Sequence, residues 1–214
     1  MSSKSTFCKH QGKRVLLLEG TNDCHVVMAV CVAHEVPETF GLYECGSDDQ
    51  VIKRLNALIV SPDIPDVLGV MLDADQDLGA RWQGIAIKLQ AHGYEVPKEP
   101  ITIGTIIDSR EGLPKIGIWL MPNNVATGML EDFCLEMVEN TTREYVEQVV
   151  ATAQEKGVCT FKAPHISKAV VHTYLAWQDD PGAPLGLSIT KQALKPETET
   201  ATAFTNWLKT LFAA

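Results

Sequence analysis

The stretch RVLLLEGTNDCHVV, residues 14–27, runs from an apolar segment directly into an acid and a glycine, Glu19-Gly20. VLGVMLDADQD, residues 67–77, repeats that build and ends in Asp73, Asp75 and Asp77, spaced two apart. A short continuous apolar run is the pattern of a strand buried on both faces, as in a parallel sheet. Clustered carboxylates at the ends of such strands need a cause, because like charges raise one another's pKa and destabilise the fold unless something neutralises them.

Working outward, residues 14–18, 39–45, 67–72 and 116–121 read as strands, with helical patterns at 22–35, 48–59 and 79–92 between and after the first three. The β-α-β-α-β-α alternation predicts an α/β fold: a Rossmann-like, mostly parallel sheet with helices on both faces and ligands outside the carboxyl ends of the strands. Thr21 or Asn22 can cap the first helix, and Ser47 or Asp48 the second. Residues 100–121 read as two strands joined by a polar turn at 108–114, an antiparallel hairpin added to the sheet. After Pro122 the pattern is helical, at 128–139, 141–156, 164–178 and 200–213, with turn-rich QDDPGAPLG (178–186) before the last. Residues 1–125 then form the α/β domain and 126–214 a helical extension packed on it. Phe204, Trp207, Leu208, Leu211 and Phe212 share one helical face, which is expected to lie on the α/β domain; docking of a partner is the alternative.

With 45% hydrophobic and 21% charged residues, the 214-residue chain reads as an ordinary globular protein. Its net charge of −9 excludes nucleic-acid binding through a broad basic surface, so any such contact must be local and metal-dependent. No apolar run reaches the roughly 18 residues of a membrane span, and Met1 to Gln11 is polar, so no membrane contact and a cytoplasmic location are expected. The six cysteines contain no Cys-x-x-Cys pair and read as reduced, partly buried thiols; zinc on Cys8, His10, Cys24 and His25 is the weaker alternative.

Gly20 after Glu19 lets a ligand or a neighbouring backbone come close. Asp73 and Asp75 face one way if the strand persists, and a turn would still aim both at the same crevice; Asp77 adds a third acid. A single acid at a strand end is usually a helix cap or a solvated loop residue. The conjunction of Glu-Gly on one strand with Asp-x-Asp on another points instead to a hard divalent cation, Mg2+ with Mn2+ as the substitute, held by carboxylate and water oxygens.

LLLEGTNDCHVV together with VMLDADQD resembles the Toprim domain of topoisomerases, bacterial primases, small RNA-maturation nucleases and overcoming-lysogenization-defect (OLD) nucleases, over about residues 13–122. GIWLMPNN and GMLEDF within 117–133, and SKAVVHTYLAWQDDPGAPLG at 167–186, are similar to an uncharacterised prokaryotic family of stand-alone Toprim-like proteins. The resemblance implies that Asp73 and Asp75 bind magnesium and that Glu19 binds metal or moves a proton in phosphodiester chemistry. It also offers Glu131 and Asp132 for further metal binding, against the plain reading of an acidic first helical turn. Lys168 is the candidate to counter phosphate charge. Asp23 matches a recurrent acid after the Glu-Gly pair and equally suits the start of the first helix, and Asn123 stands where the pattern often has an aspartate after the proline.

Two other acid motifs do not fit. Phosphatases of the haloacid dehalogenase type carry Asp-x-Asp after their first strand, whereas two strands precede Asp73 here, and receiver domains need an acid pair where Glu19-Gly20 stands. The expected activity is a Mg-dependent nuclease on DNA or RNA, with nucleic acid as partner. The alternative is a non-catalytic metal- or nucleotide-binding subunit of a larger complex, with a protein partner or a second copy on the helical extension. A nucleotide phosphatase is the third choice.

Overall fold

In the computed structural model, which describes residues 8–10 and 12–213, the apolar runs become neighbouring strands of one sheet. The first half of the chain forms β1 (Arg14–Leu18), α1 (Thr21–Ala33), β2 (Gly41–Glu44), α2 (Asp48–Ile59), β3 (Val67–Asp73), α3 (Leu78–Ala91), β4 (Thr105–Ile107) and β5 (Lys115–Met121). The strand order is β2-β1-β3-β5-β4; all neighbours are parallel except β4, which runs antiparallel to β5. This is a mixed α/β, Rossmann-like fold with the expected hairpin on its edge.

Both faces of the sheet are buried, which is why its strands are apolar without alternation. Val15, Leu17, Leu68, Val70, Ile116 and Ile118 point to one side and pack with residues of α2 and α3, among them Leu55, Trp82 and Leu89. Leu16, Leu18, Met71, Trp119 and Met121 point to the other and share a core with α1 and the C-terminal helices. Helix starts are capped as local chemistry requires: Ser47 Oγ accepts from Gln50 N at 3.4 Å, Asp77 Oδ1 from Ala80 N at 2.8 Å, Glu139 Oε2 from Thr142 N at 3.0 Å and Thr198 Oγ1 from Ala201 N at 3.1 Å. At α1 the expectation is corrected. Thr21 and Asn22 already lie inside the helix, and extended Gly20 is the cap residue.

The remaining helices are α4 (Leu130–Leu135), α5 (Asn140–Glu155), α6 (Ile166–Leu175), α7 (Leu185–Thr190) and α8 (Glu199–Leu211). The segment read as one helix over 128–139 is regular only in α4. α7 was not expected in its turn-rich surroundings; Gly186 lets it lie against α1, since a Cβ there would come within 2.6 Å of the His25 carbonyl oxygen. On α8, Phe204, Trp207, Leu208 and Leu211 are buried, with Phe212 just beyond. Leu211 fills a notch made by Gly69 and Gly117, which are register partners on β3 and β5. Trp207 Nε1 donates to the Thr105 carbonyl at 3.2 Å, and Phe212 stacks on Phe40 with centroids 4.1 Å apart.

The expectation of six reduced cysteines is corrected at two positions: Cys8 and Cys24 are joined in a disulfide, their Cα atoms 6.2 Å apart. The N-terminal segment runs antiparallel along β2, with His10 N donating to Leu42 O at 2.9 Å, and this brings Cys8 to the first turn of α1. A zinc ion on these thiols is thereby set aside. Cys31, Cys45, Cys134 and Cys159 are free. Among the described residues no helix is long and apolar enough to cross a membrane. Most of the polar Met1 to Gln11 segment, residues 1–7 and 11, lies outside the described residues.

Candidate functional site

From β1 the chain passes to β2 on one side, then crosses to β3 on the other, so the strand order reverses between β1 and β3. Such a reversal opens a crevice at the carboxyl ends of the two strands, the usual ligand position in an open α/β sheet. Leu17 pairs with Val70 in register, so Glu19 and Asp73 leave the two strands at the same edge, one residue apart in register. Glu19 Oε1 accepts from the Asp73 amide at 3.0 Å, and Asp73 Oδ1 accepts from the Leu130 amide at the start of α4 at 2.9 Å. Beside them, Asp23 Oδ2 accepts from Gly20 N at 3.2 Å. Glu131, on α4 and only 4% exposed, has Oε1 3.2 Å from Lys168 Nζ on α6.

These acids share one electrostatic environment. Burial, then the charges of Glu19, Asp23 and Glu131, push the Asp73 carboxyl up to about 8. Burial, then Glu19 and Glu131, push Asp23 up to about 7. Burial raises Glu19 as well, against the lowering effect of its bond from the Asp73 amide.

Asp75 leaves this inner group. β3 ends at Asp73, and Asp75 adopts a left-handed φ of 53°, a conformation aspartate tolerates better than most residues. Its backbone is bonded both ways to Gly128, each N···O distance being 2.8 Å. Its carboxylate meets Arg81 Nη2, while Arg81 Nη1 donates to Asp48 Oδ2 at 2.8 Å. Glu19 lies between the two groups, within the field of Asp48, Arg81 and Asp75 on one side and of the inner acids on the other. Asp77 stands on the rim with its carboxylate capping α3. An open cleft of about 950 Å³ lies in front, lined by Asp75, Asp77, Arg81, Gly128, Asp132 and Ser167 among others.

Of the residues singled out in the sequence, the fold thus gathers Glu19, Asp73 and Glu131, pairs Lys168 with Glu131, and turns Asp75 and Asp77 to the rim. Asp132 Oδ2 accepts from Met129 N at 2.8 Å and its Oδ1 from Ser167 Oγ at 2.5 Å, as a first-turn acid does. Asn123 Oδ1 closes a turn on the amides of Val125 and Ala126. Asp23, left open between helix start and site, accepts from the Gly20 amide at the helix start and lies within the field of Glu19 and Glu131. Arg81 carried no signal, because its pairing depends on Asp48 at the start of α2 and Asp75 after β3 coming together.

As the side chains stand, no three His, Cys, Asp or Glu among the described residues converge as metal ligands. One oxygen each of Glu19, Asp73 and Asp23 is engaged by a backbone amide. The donor chemistry nevertheless fits a hard cation: acids crowded at low exposure, raised by burial and by one another, with Lys168 as counter-charge to Glu131.

Among curated proteins nothing matches this chain. A solved structure, the C-terminal region of the OLD protein of Xanthomonas campestris pv. campestris, is similar at 12% identity and a TM-score of 0.45, covering 94% of this chain and 96% of that one. At that distance it assigns no roles to residues. The model of the family described as "Protein of unknown function (DUF3226)" matches residues 13–213, nearly the whole chain, and the protein belongs to that family.

Proposed function

We propose that the protein is a magnesium-dependent, Toprim-like nuclease that hydrolyses phosphodiester bonds in DNA or RNA at the carboxyl edge of β1 and β3. The observation that carries this reading is the gathering of Glu19, Asp23, Asp73 and Glu131 in one partly buried, electrostatically coupled group, beside the Asp75–Arg81 rim of a cleft. Their mutual repulsion is what a divalent cation relieves. Glu19, Asp73 and Glu131 would hold the ion, with Asp75 beside them on the rim and Mn2+ able to replace Mg2+. When bound, the ion supplies polarisation of the phosphate and an activated water.

The chain's own groups do the rest. Glu19 Oε1 is engaged by the Asp73 amide, so the proton moved in the reaction would be carried on the free Oε2. Lys168 balances buried Glu131 and lies half-exposed, within reach of a phosphate oxygen. The test is incubation of purified protein with single- and double-stranded DNA and RNA under Mg2+ or Mn2+. Cleavage by the wild type is expected, together with loss in Glu19→Gln and in an Asp73→Ala, Asp75→Ala double variant that keep their circular dichroism. No cleavage, or equal cleavage by the double variant, sinks the nuclease reading.

A second reading, a non-catalytic metal- or nucleotide-binding subunit, is favoured by the charge of −9 and by a largely apolar groove of about 910 Å³ lined by Ile101, Ile103 and Trp207 among others. It requires metal binding without turnover and a partner that copurifies.

A further inference from the structure

Arg81 is the one cationic side chain among the described residues that line the cleft. It sits in the first turn of α3, 19% exposed, bridging Asp48 from the start of α2 and Asp75 from the end of β3. Asp75 and its partner differ in freedom. The Asp75 backbone is held by its left-handed turn and the paired bonds to Gly128, whereas Arg81 reaches the carboxylate on a long side chain with more rotatable bonds. The Asp75 oxygen held by Arg81 Nη2 cannot also ligate a metal, and a divalent cation beside Glu19 repels Arg81, whose charge already acts on that carboxyl. If the acids take a cation, the partner that leaves is therefore the arginine, and the space open to it is the cleft it already lines.

We propose that Arg81 is an exchangeable counter-ion: it neutralises Asp48 and Asp75 in the metal-free protein and, once a divalent cation occupies the acidic edge, turns into the cleft to hold a phosphate oxygen of the substrate backbone. This rests on the phosphodiester reading above for the identity of the anion, but not for the exchange itself. A planar fork of donors suits a phosphate oxygen pair better than a lysine does. The arrangement also withholds the guanidinium from nucleic acid until metal is present, since before then it is already satisfied.

Two measurements separate the exchange from the activity. Titration of Mn2+ alone, followed by the electron paramagnetic resonance of the free ion, is expected to show Arg81→Gln binding about tenfold tighter than wild type, with Arg81→Lys near wild type. Unchanged or weaker binding in Arg81→Gln overturns the counter-ion role. Fluorescence anisotropy of a labelled oligothymidylate is then read with Ca2+ in place of Mg2+, and again in EDTA. Arg81→Gln is expected to weaken binding about tenfold with Ca2+ and to leave it unchanged in EDTA, and Arg81→Lys to recover part of the loss. A loss of equal size in both buffers, or none in either, overturns the phosphate role. If the wild type binds no oligonucleotide with Ca2+, the phosphodiester reading fails and the phosphate role with it, while the Mn2+ titration still decides the exchange.

Discussion

Burial and mutual repulsion raise the carboxyls of Asp73, Asp23 and Glu19, the first two up to about 8 and about 7. Between the aspartate reference value of 3.8 and those values, the folded chain binds protons that the unfolded chain has released. Stability from this source is complete at low pH and is lost as pH rises through about 7 to 8. In EDTA the melting temperature is therefore expected to fall by several degrees between pH 5.5 and 8.5, about 2–4 °C per kcal/mol for a chain of this size. Asp73→Asn should flatten that slope, and Mg2+ should restore the wild type at pH 8.5 but not the variant. A slope that Asp73→Asn leaves intact would show that the titrating groups lie elsewhere. Asp77 allows a second residue-scale test, because it caps α3 and also lines the cleft. Asp77→Ala is expected to cost about 1 kcal/mol in chemical denaturation, and Asp77→Ser to recover most of it. Mn2+ affinity in Asp77→Ser should stay within about twofold of wild type if its carboxylate serves only the helix; a larger loss would make it a ligand.

At the scale of elements, α8 is held by shape. Leu211 occupies the hollow that Gly69 and Gly117 leave on β3 and β5, so Leu211→Ala should cost about 2–5 kcal/mol. Gly117→Ala sets a methyl into the same space. Combined with Leu211→Ala it should cost less than the two separate losses added, a coupling that a double-mutant cycle in denaturant will show. Additive costs would mean that the notch does not seat the leucine. The strands and the apolar face of α8 were legible because each is written locally, as a continuous apolar run or as spacings along one helical face. α7 was not, because its residues LGLSIT sit in a turn-rich stretch and its helix depends on the close approach to α1 that Gly186 permits. The candidate site divides the same way. Glu19 and Asp73 end apolar runs and can be found by reading; Asp75 needed the left-handed turn to show which way its carboxylate goes, and Arg81 needed the start of α2 and the turn after β3 to meet.

For the whole molecule, the charge of −9 sets how any nucleic acid can be held. With few cations near the cleft, binding should neutralise only about one to three phosphates, giving a slope of roughly −1 to −3 for log affinity against log salt and weaker binding without a divalent ion. A slope near −6 or steeper, measured by anisotropy, would require a basic surface elsewhere. The helices after β5 also share one core with the sheet, so the β1–β3 crevice, Glu131 and Lys168 are set in place by the same packing that folds the chain. That arrangement has a consequence for biosynthesis. α8 follows every strand that it covers, so until residues 199–211 have left the ribosome the hollow at Gly69 and Gly117 stands open beside Trp119 and Met121. A chain cut short anywhere before Glu199 displays that uncovered apolar face, and thereby labels itself as unfinished to chaperones and proteases that recognise exposed core.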